Sequence, residues 1–369
     1  MKEKRRIKWY DVARSVALIS IVSNHAISRV FDNYVDQQLE FMRQSAITQL
    51  FKSIVTTFSW IGVPIFLMGS GVLILNKKFE TKEDLKRFYK NNWLLLVVST
   101  EFWSALGYIF ITLFIYKYSI SLDWFINLLK TLLFLDKIEF GCMWYMDMII
   151  CLYTVLPVLA VFLKKFSSFK DMKVLVFVIL WIGFIFPTFN KYSIMLFNKD
   201  YANYLSSGYL FSTYLLFVIL GYFIEKGLLS RLKSLDIILG LGLSFSLTVI
   251  LQYIGYSSEY NLVTRYDSVG ILLSSIYLFE FMRRYCNGFS DKIMKFIKSF
   301  SKNAFSIYMI HIFFVEFIYY QYLNREIVIV NAEITTFIYM SIPIICSIII
   351  IQILKNIGFV KKYFLLIKD

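Results

Sequence analysis

The chain has 369 residues, 58% hydrophobic and 19% aromatic, with a formal charge of +14 and a mean hydropathy of +0.63. Soluble domains carry about 25% charged residues; this chain carries 17%, and with its long apolar runs it reads as a polytopic membrane protein. The basic residues gather at the ends of apolar runs rather than on one motif, which argues against a nucleic-acid partner. Four scattered cysteines, Cys142, Cys151, Cys286 and Cys346, show neither metal-ligand spacing nor a disulfide framework, so no metal is expected.

The basic start, KEKRRIK, resembles the first part of a signal peptide. No A-x-A-like cleavage site follows, and the next run holds Arg14 and His25, so it reads as a retained span. That run, Tyr10–Val30, is the most informative part of the chain. Arg14 and His25 are eleven residues apart, close to three helical turns, so both leave one face about 16 Å apart along the axis. His25 and His311 are the only histidines, and both fall in apolar runs. Ionisable groups at membrane depth are costly and mark functional paths. A neutral imidazole, with a pKa of about 6.5 in water, takes and returns a proton near neutral pH. The alternative is a core histidine bonding a neighbouring helix. Asp11 and Arg14 are three apart and can face each other, or they mark the cytoplasmic interface with Arg14 snorkelling.

The second run ends IGVPIFLMGSG. Pro64 removes a backbone donor, and Gly69-Ser70-Gly71 removes bulk from one turn. Together they allow either a bend or a small-residue packing face. The connection that follows holds Lys77, Lys78, Lys82, Lys86, Arg87 and Lys90. It reads as ordinary positive-inside charge or as a phosphate clamp at the cytoplasmic mouth.

Ten apolar runs in all are long enough to cross as helices, at 10–30, 53–75, 93–116, 143–163, 174–192, 208–224, 235–253, 268–282, 304–322 and 334–354. Residues 119–140 hold an apolar stretch too short to span, which suits a re-entrant or interfacial helix that lines a site or only seals the bundle. Acidic residues at membrane depth are Glu101, Asp147, Glu280 and Glu316; each could orient a histidine, contact sugar hydroxyls or pair across helices. With the N-terminus inside, inner connections carry 28 Lys and Arg, and outer connections with their span ends carry 10. That bias predicts cytoplasmic termini and an even number of spans. No internal repeat or linker appears, so residues 1–369 read as one all-α membrane domain.

Several segments, in order over about 300 residues, are similar to the acyltransferase-3 family of integral membrane acyltransferases. Arg14 to His25, after WYDVAR, matches the family's R-x10-H. GVPIFLMGSG resembles G-V-P-x-F-F-x-x-S-G. MWYMDMIICLYTVLPVL resembles an L-W-F-L…L-Y…P stretch through Trp144, Tyr145, Tyr153 and Pro157. VILGYF (Val218–Phe223) resembles a later G-Y-x element. KNAFSIYMIHIFF resembles S-x-x-I-Y-L-I-H through Ser306, Tyr308 and His311. The chain departs from the pattern at Arg87-Phe-Tyr-Lys90, where the family often has R-x-x-R, at Cys142, often histidine, and at Gly69 and Val72.

The resemblance implies acyl transfer, usually acetyl, from cytoplasmic acetyl-CoA to a hydroxyl of a cell-surface polysaccharide or lipid-linked glycan, in a bacterial cytoplasmic membrane. On that reading His25 is the general base or an acyl carrier, and Arg14 holds or polarises the donor. Arg87 and Lys90 bind CoA phosphates. Ser70 contributes to the donor site, and Asp11, Trp144, Tyr308 and His311 line the cavity. Membrane lipids, acyl-CoA and the glycan are the expected partners. The rival is a proton-coupled transporter or lipid-glycan flippase using His25, Arg14 and Glu101. Such folds often show internal repeats or paired broken helices. A non-catalytic scaffold poorly explains an arginine and a histidine on one face.

Overall fold

A backbone in lipid must satisfy its own polar groups, so apolar runs of this length fold as helices. In the computed structural model every described element is helical. The structure describes residues 7–31, 37–136, 142–166, 168–201, 213–258, 263–321 and 331–367. Helices α1 (Lys8–Phe31), α2 (Gln37–Arg43), α3 (Ala46–Ser59) and α4 (Gly62–Ser70) open the chain. They are followed by α5 (Lys82–Phe88), α6 (Leu94–Ile109), α7 (Leu122–Leu132) and α8 (Met143–Lys165). Then come α9 (Lys173–Leu180), α10 (Phe186–Phe197), α11 (Thr213–Glu225), α12 (Ser234–Ser257) and α13 (Val269–Tyr285). The chain ends with α14 (Asp291–Lys302), α15 (Ala304–Gln321), α16 (Ala332–Leu354) and α17 (Gly358–Tyr363). Short π-helical stretches at Gly71–Leu75, Tyr89–Trp93, Phe110–Ile115 and Trp181–Ile185 continue or join these helices.

Among the described residues seven helical segments are long and apolar enough to cross a membrane, namely Ala46–Leu75, Lys82–Ile115, Met143–Lys165, Phe169–Phe197, Ser234–Ser257, Ala304–Gln321 and Ala332–Leu354. They correspond to seven of the ten expected runs. The other three fall short for separate reasons. Helix α1 has the length, with 24 residues, but carries Asp11, Arg14, Asn24, His25 and Arg29. Helix α11 has 13 residues, and 208–212 of its expected run lie outside the described residues. Helix α13 has 17.

Two expected limits also shift. The second span begins at Ala46, because Gln49 and Lys52 are buried rather than at a membrane surface. The Lys52 ammonium lies 4.1 Å from the Tyr256 ring centroid, with the Phe31 and Phe41 rings at 5.4 and 5.7 Å. Most of the expected connection 76–92 is helical and runs into α6. The short helix expected in 119–140 is α7, with 11 residues, about 16 Å long. Trp124 Nε1 donates to Thr112 Oγ1 at 2.9 Å, and Leu122, Phe125 and Leu129 are exposed. Residues 137–140 lie outside the described residues.

The chain packs as two compact units, Met1–Lys77 with Leu159–Ser301, and Lys78–Val158 with Lys302–Asp369. In the first, α1 packs on α3, α4 and α13, and α4 packs on α11. Lipid gives helices no hydrophobic reason to associate, so close backbone approach through small residues does that work. A Cβ on Gly71 would lie 2.0 Å from the Val218 carbonyl oxygen, and one on Gly221 2.1 Å from that of Met68. The small-residue run of the second span is therefore a packing face against α11. It also allows a break. Ser20 Oγ donates to the Phe58 and Ser59 carbonyls at 2.7 and 3.1 Å, where α3 stops. Pro64 then sits in the first turn of α4, where its missing N–H has no helical partner to lose.

In the second unit α15 packs on α16, and α6 meets α7 and α17. The Phe364 carbonyl accepts from Ser99 Oγ at 2.8 Å and Trp103 Nε1 at 3.0 Å, and the Leu365 carbonyl from Ser306 Oγ at 2.7 Å. An apolar groove of about 1100 Å³ is lined by residues including Phe102, Leu106, Phe110, Phe313, Ile342 and Leu354.

Gly221→Ala should lower stability by about 1–3 kcal/mol, because the added methyl meets backbone that cannot rotate away. Gly242→Ala, with nothing within 4 Å of its Cβ, should be neutral or raise stability by up to about 1 kcal/mol through helix propensity. Thermal unfolding of both variants in detergent checks the contrast; equal midpoints would remove the packing argument.

Candidate functional site

Helix α1 places three of the expected residues in order along one rod. Asp11 is 4% exposed, and its carboxylate accepts from Ser301 Oγ at 2.9 Å. It ties α1 to α14, and no hydrogen bond or ion pair joins it to Arg14. Arg14 is half-buried and makes no hydrogen bond or ion pair among the described residues. His25 is half-buried near the other end of the helix.

The neighbours of α1 give its register. Tyr10 packs over Gly69, Ala17 over Gly62, and Asn24 Nδ2 donates to Ser59 Oγ at 2.9 Å. Helix α1 thus runs antiparallel to α3 and α4. Arg14 lies at the level between Gly69 and Gly62, within the unbroken helix α4. His25 lies beyond Ser59, past the break. Ser70, buried, donates to the Phe66 carbonyl one turn back at 3.2 Å. Its immediate neighbours are the packing glycines.

The remaining expected residues belong to the second unit. Arg87 and Lys90 are exposed, and neither forms a hydrogen bond among the described residues. Their helix is well anchored. Thr81 caps α5 in a reciprocal arrangement with Asp84. Tyr89 Oη donates to the Thr154 carbonyl at 2.8 Å, and Trp93 Nε1 to Thr154 Oγ1 at 2.9 Å.

Trp144, Tyr308 and His311 are brought together through Tyr145. Ring centroids step from Trp144 to Tyr145 at 6.1 Å, to Tyr308 at 5.5 Å and to His311 at 6.0 Å. Tyr308 Oη donates to the Cys142 carbonyl at 2.5 Å. His311 is fully buried, with Nδ1 2.7 Å from the Tyr308 carbonyl. A carbonyl only accepts, so Nδ1 carries the proton there.

Glu280 has a different role from those considered at sequence level. It is fully buried and accepts from Arg283 at 2.7 and 2.8 Å and from Arg284 at 2.5 Å. Arg284 also donates to the Leu229 and Leu232 carbonyls, so the cluster clamps the connection between α11 and α12. The i+3 and i+4 spacing was a readable signal for this pairing.

One group lay outside the sequence reading altogether. Trp60 and Tyr266 come together beside the break in the second span, with ring centroids 4.6 Å apart, and neither hydropathy nor spacing links them. Trp60's place just before Gly62 and Pro64 is the nearest thing to a signal.

A family model described as an acyltransferase domain matches residues 7–354. No curated protein and no solved structure matches the chain. Among the described residues no group of three or more His, Cys, Asp or Glu could hold a metal ion.

Glu280→Ala should lose about 3–5 kcal/mol of stability, because two arginines would remain partly buried without their carboxylate. A thermal midpoint within about 1 °C of the parent, roughly a loss under 1 kcal/mol for a chain of this length, would show that the clamp carries little stability.

Proposed function

The chain belongs to the acyltransferase-3 family, and from that membership we propose that this multi-pass membrane acyltransferase moves an acetyl group from cytoplasmic acetyl-CoA to a hydroxyl of a cell-surface polysaccharide or lipid-linked glycan. The membrane would be a bacterial cytoplasmic membrane, with both termini inside, as the bias of 28 inner to 10 outer Lys and Arg favours.

The observation that carries the reading is the pair Arg14 and His25 on one helix enclosed by α3, α4 and α13. Eleven residues separate them by about 16 Å, so they cannot act on one carbonyl group. Their roles divide. Arg14, with no protein partner among the described residues, holds the donor's extended arm by its planar, multi-donor head. His25, farther along, meets the thioester end and the acceptor. Arg87 and Lys90 hold the CoA phosphates by charge-assisted hydrogen bonds.

A hydroxyl is a weak nucleophile until a base takes its proton. His25 takes that proton as the hydroxyl oxygen attacks the thioester carbonyl. The carbon–sulfur bond then breaks, the acyl group stays on the sugar oxygen, and the thiolate leaves with the proton held by the imidazolium. His25 acting as a transient acyl carrier divides the same chemistry into two transfers.

His25→Ala should fold and insert normally while turnover falls about 100-fold to 10,000-fold; near-normal turnover of the purified variant would exclude His25 from the mechanism. Arg14→Lys keeps the charge and loses the planar fork. Turnover should fall strongly at unchanged thermal stability, and full activity would reduce Arg14 to a snorkelling residue. Reversing both Arg87 and Lys90 to Glu should weaken acetyl-CoA binding, with a smaller effect at high salt where charges are screened. Unchanged binding by calorimetry would return these residues to ordinary inner-loop charge.

A further inference from the structure

Helix α14 reads DKIMKFIKSFSK from Asp291 to Lys302. At about 3.6 residues per turn its side chains sort into three faces. Met294 and Ser301 share one face and are buried. Ile293, Phe296, Ile297 and Phe300 share the next, about 100° farther round. Phe296 is 74% exposed, Ile293 is also exposed, and Ile297 and Phe300 are half-buried. Lys292, Lys295 and Lys298 gather on the third face, about 150° from the apolar one, and all three are exposed. An exposed apolar face opposite a lysine face suits neither water nor hydrocarbon alone. It suits the boundary between them.

The contacts of α14 put it at such a boundary. Ser301 Oγ donates to the Asp11 carboxylate at 2.9 Å, and an Asp291 carboxylate oxygen lies 3.8 Å from Lys8 Nζ. Along α14 those two contacts are about 15 Å apart, but along α1 only about 4.5 Å. Helix α14 therefore crosses the N-terminal end of α1 rather than running beside it. The Trp9 backbone N–H donates to Asn287 Oδ1 at 3.3 Å, which holds the approach to α14 at the same level. Helix α1 runs antiparallel to the span Ala46–Leu75, so a helix lying across its end lies along the membrane surface. The span Ala304–Gln321 begins just after α14 ends. Lipid is what an apolar face meets at that level.

The lysines decide which lipid. We propose that α14 is a docking face for anionic phospholipids of the leaflet on the Lys8 side. Ile293, Phe296, Ile297 and Phe300 enter the acyl-chain boundary, and Lys292, Lys295 and Lys298 bind the phosphates of acidic headgroups. Their long stems let the ammonium groups rise to the phosphates from a helix lying at headgroup depth. Each lysine near an anionic surface adds up to about 5-fold in affinity. Docking of this face also holds Ser301, and through it the Asp11 end of α1. It does not depend on the acyl-transfer reading above.

Lipid contact is read at α14 itself. Cys151→Ser and Cys346→Ser remove the accessible thiols, Cys142 and Cys286 being buried, and Phe296→Cys carries a bimane fluorophore. This labelled full chain is placed in nanodiscs of phosphatidylcholine and phosphatidylglycerol, with brominated acyl chains on one lipid or the other as quencher. Both lipids should quench the label, and phosphatidylglycerol should be favoured at this position by about 10-fold or more. Adding Lys292→Gln, Lys295→Gln and Lys298→Gln together should bring the two lipids within about 2-fold of each other, at an unchanged thermal midpoint. Salt at about 1 M should do the same without those substitutions, because it screens charge beyond a few ångströms. Absence of quenching by either lipid would show that something other than lipid, a second copy of the chain for one, covers the face, and would overturn the proposal. Equal quenching by the two lipids before the lysines are changed would overturn it too. So would a preference that persists in the folded triple-Gln variant, or through high salt where that variant does not fold.

Discussion

A helix with Asp11, Arg14, Asn24 and His25 along its length cannot face lipid, and that constraint shapes the first compact unit. The cost of exposing such groups to hydrocarbon exceeds what its apolar residues return. Helix α1 must therefore be wrapped by protein. The wrapping is achieved by close backbone packing, since apolar contact alone does not distinguish a neighbouring helix from a lipid tail. Gly62 and Gly69 let α4 approach Ala17 and Tyr10, and Gly71 with Gly221 seats α11 on the far side. Ser20 and Asn24 then satisfy themselves on the end of α3.

This register gives the helix two chemically different ends. At one, Asp11 is tied to Ser301 and Arg14 has no protein partner among the described residues. At the other, His25 follows Asn24, which bonds Ser59 at the break between α3 and α4. In the acyl transfer proposed above, this asymmetry would serve a cation holding the donor's arm at one end and a base at the other. The apolar groove of the second unit suits lipid chains and makes no polar demand.

Much of this was legible before any coordinates. The Arg14 and His25 spacing, the small-residue packing face and the short helix within 119–140 all follow from local periodicity, and the structure has each of them in helix. What was not legible depends on distant partners. Lys52 reads as an interfacial charge until three rings from α1, α2 and α12 surround it. Nothing local links Asp11 to Ser301, 290 residues away, whose hydroxyl donates to its carboxylate. Hydropathy passed over the start of α5, since charged residues at Lys82–Phe88 mark a loop only when nothing caps and continues the helix. Trp60 and Tyr266 are brought together by tertiary packing, for which one sequence holds no local sign.

The central claim is that the acyl group passes along α1 from one face of the membrane to the other. Proteoliposomes holding the purified protein in one orientation test it, with labelled acetyl-CoA added to the face carrying Lys8 and acceptor glycan sealed on the opposite side. The account predicts label in the sealed glycan, lost with His25→Ala while the vesicles stay impermeable to acetyl-CoA. Label appearing only when donor and acceptor share one compartment would contradict it.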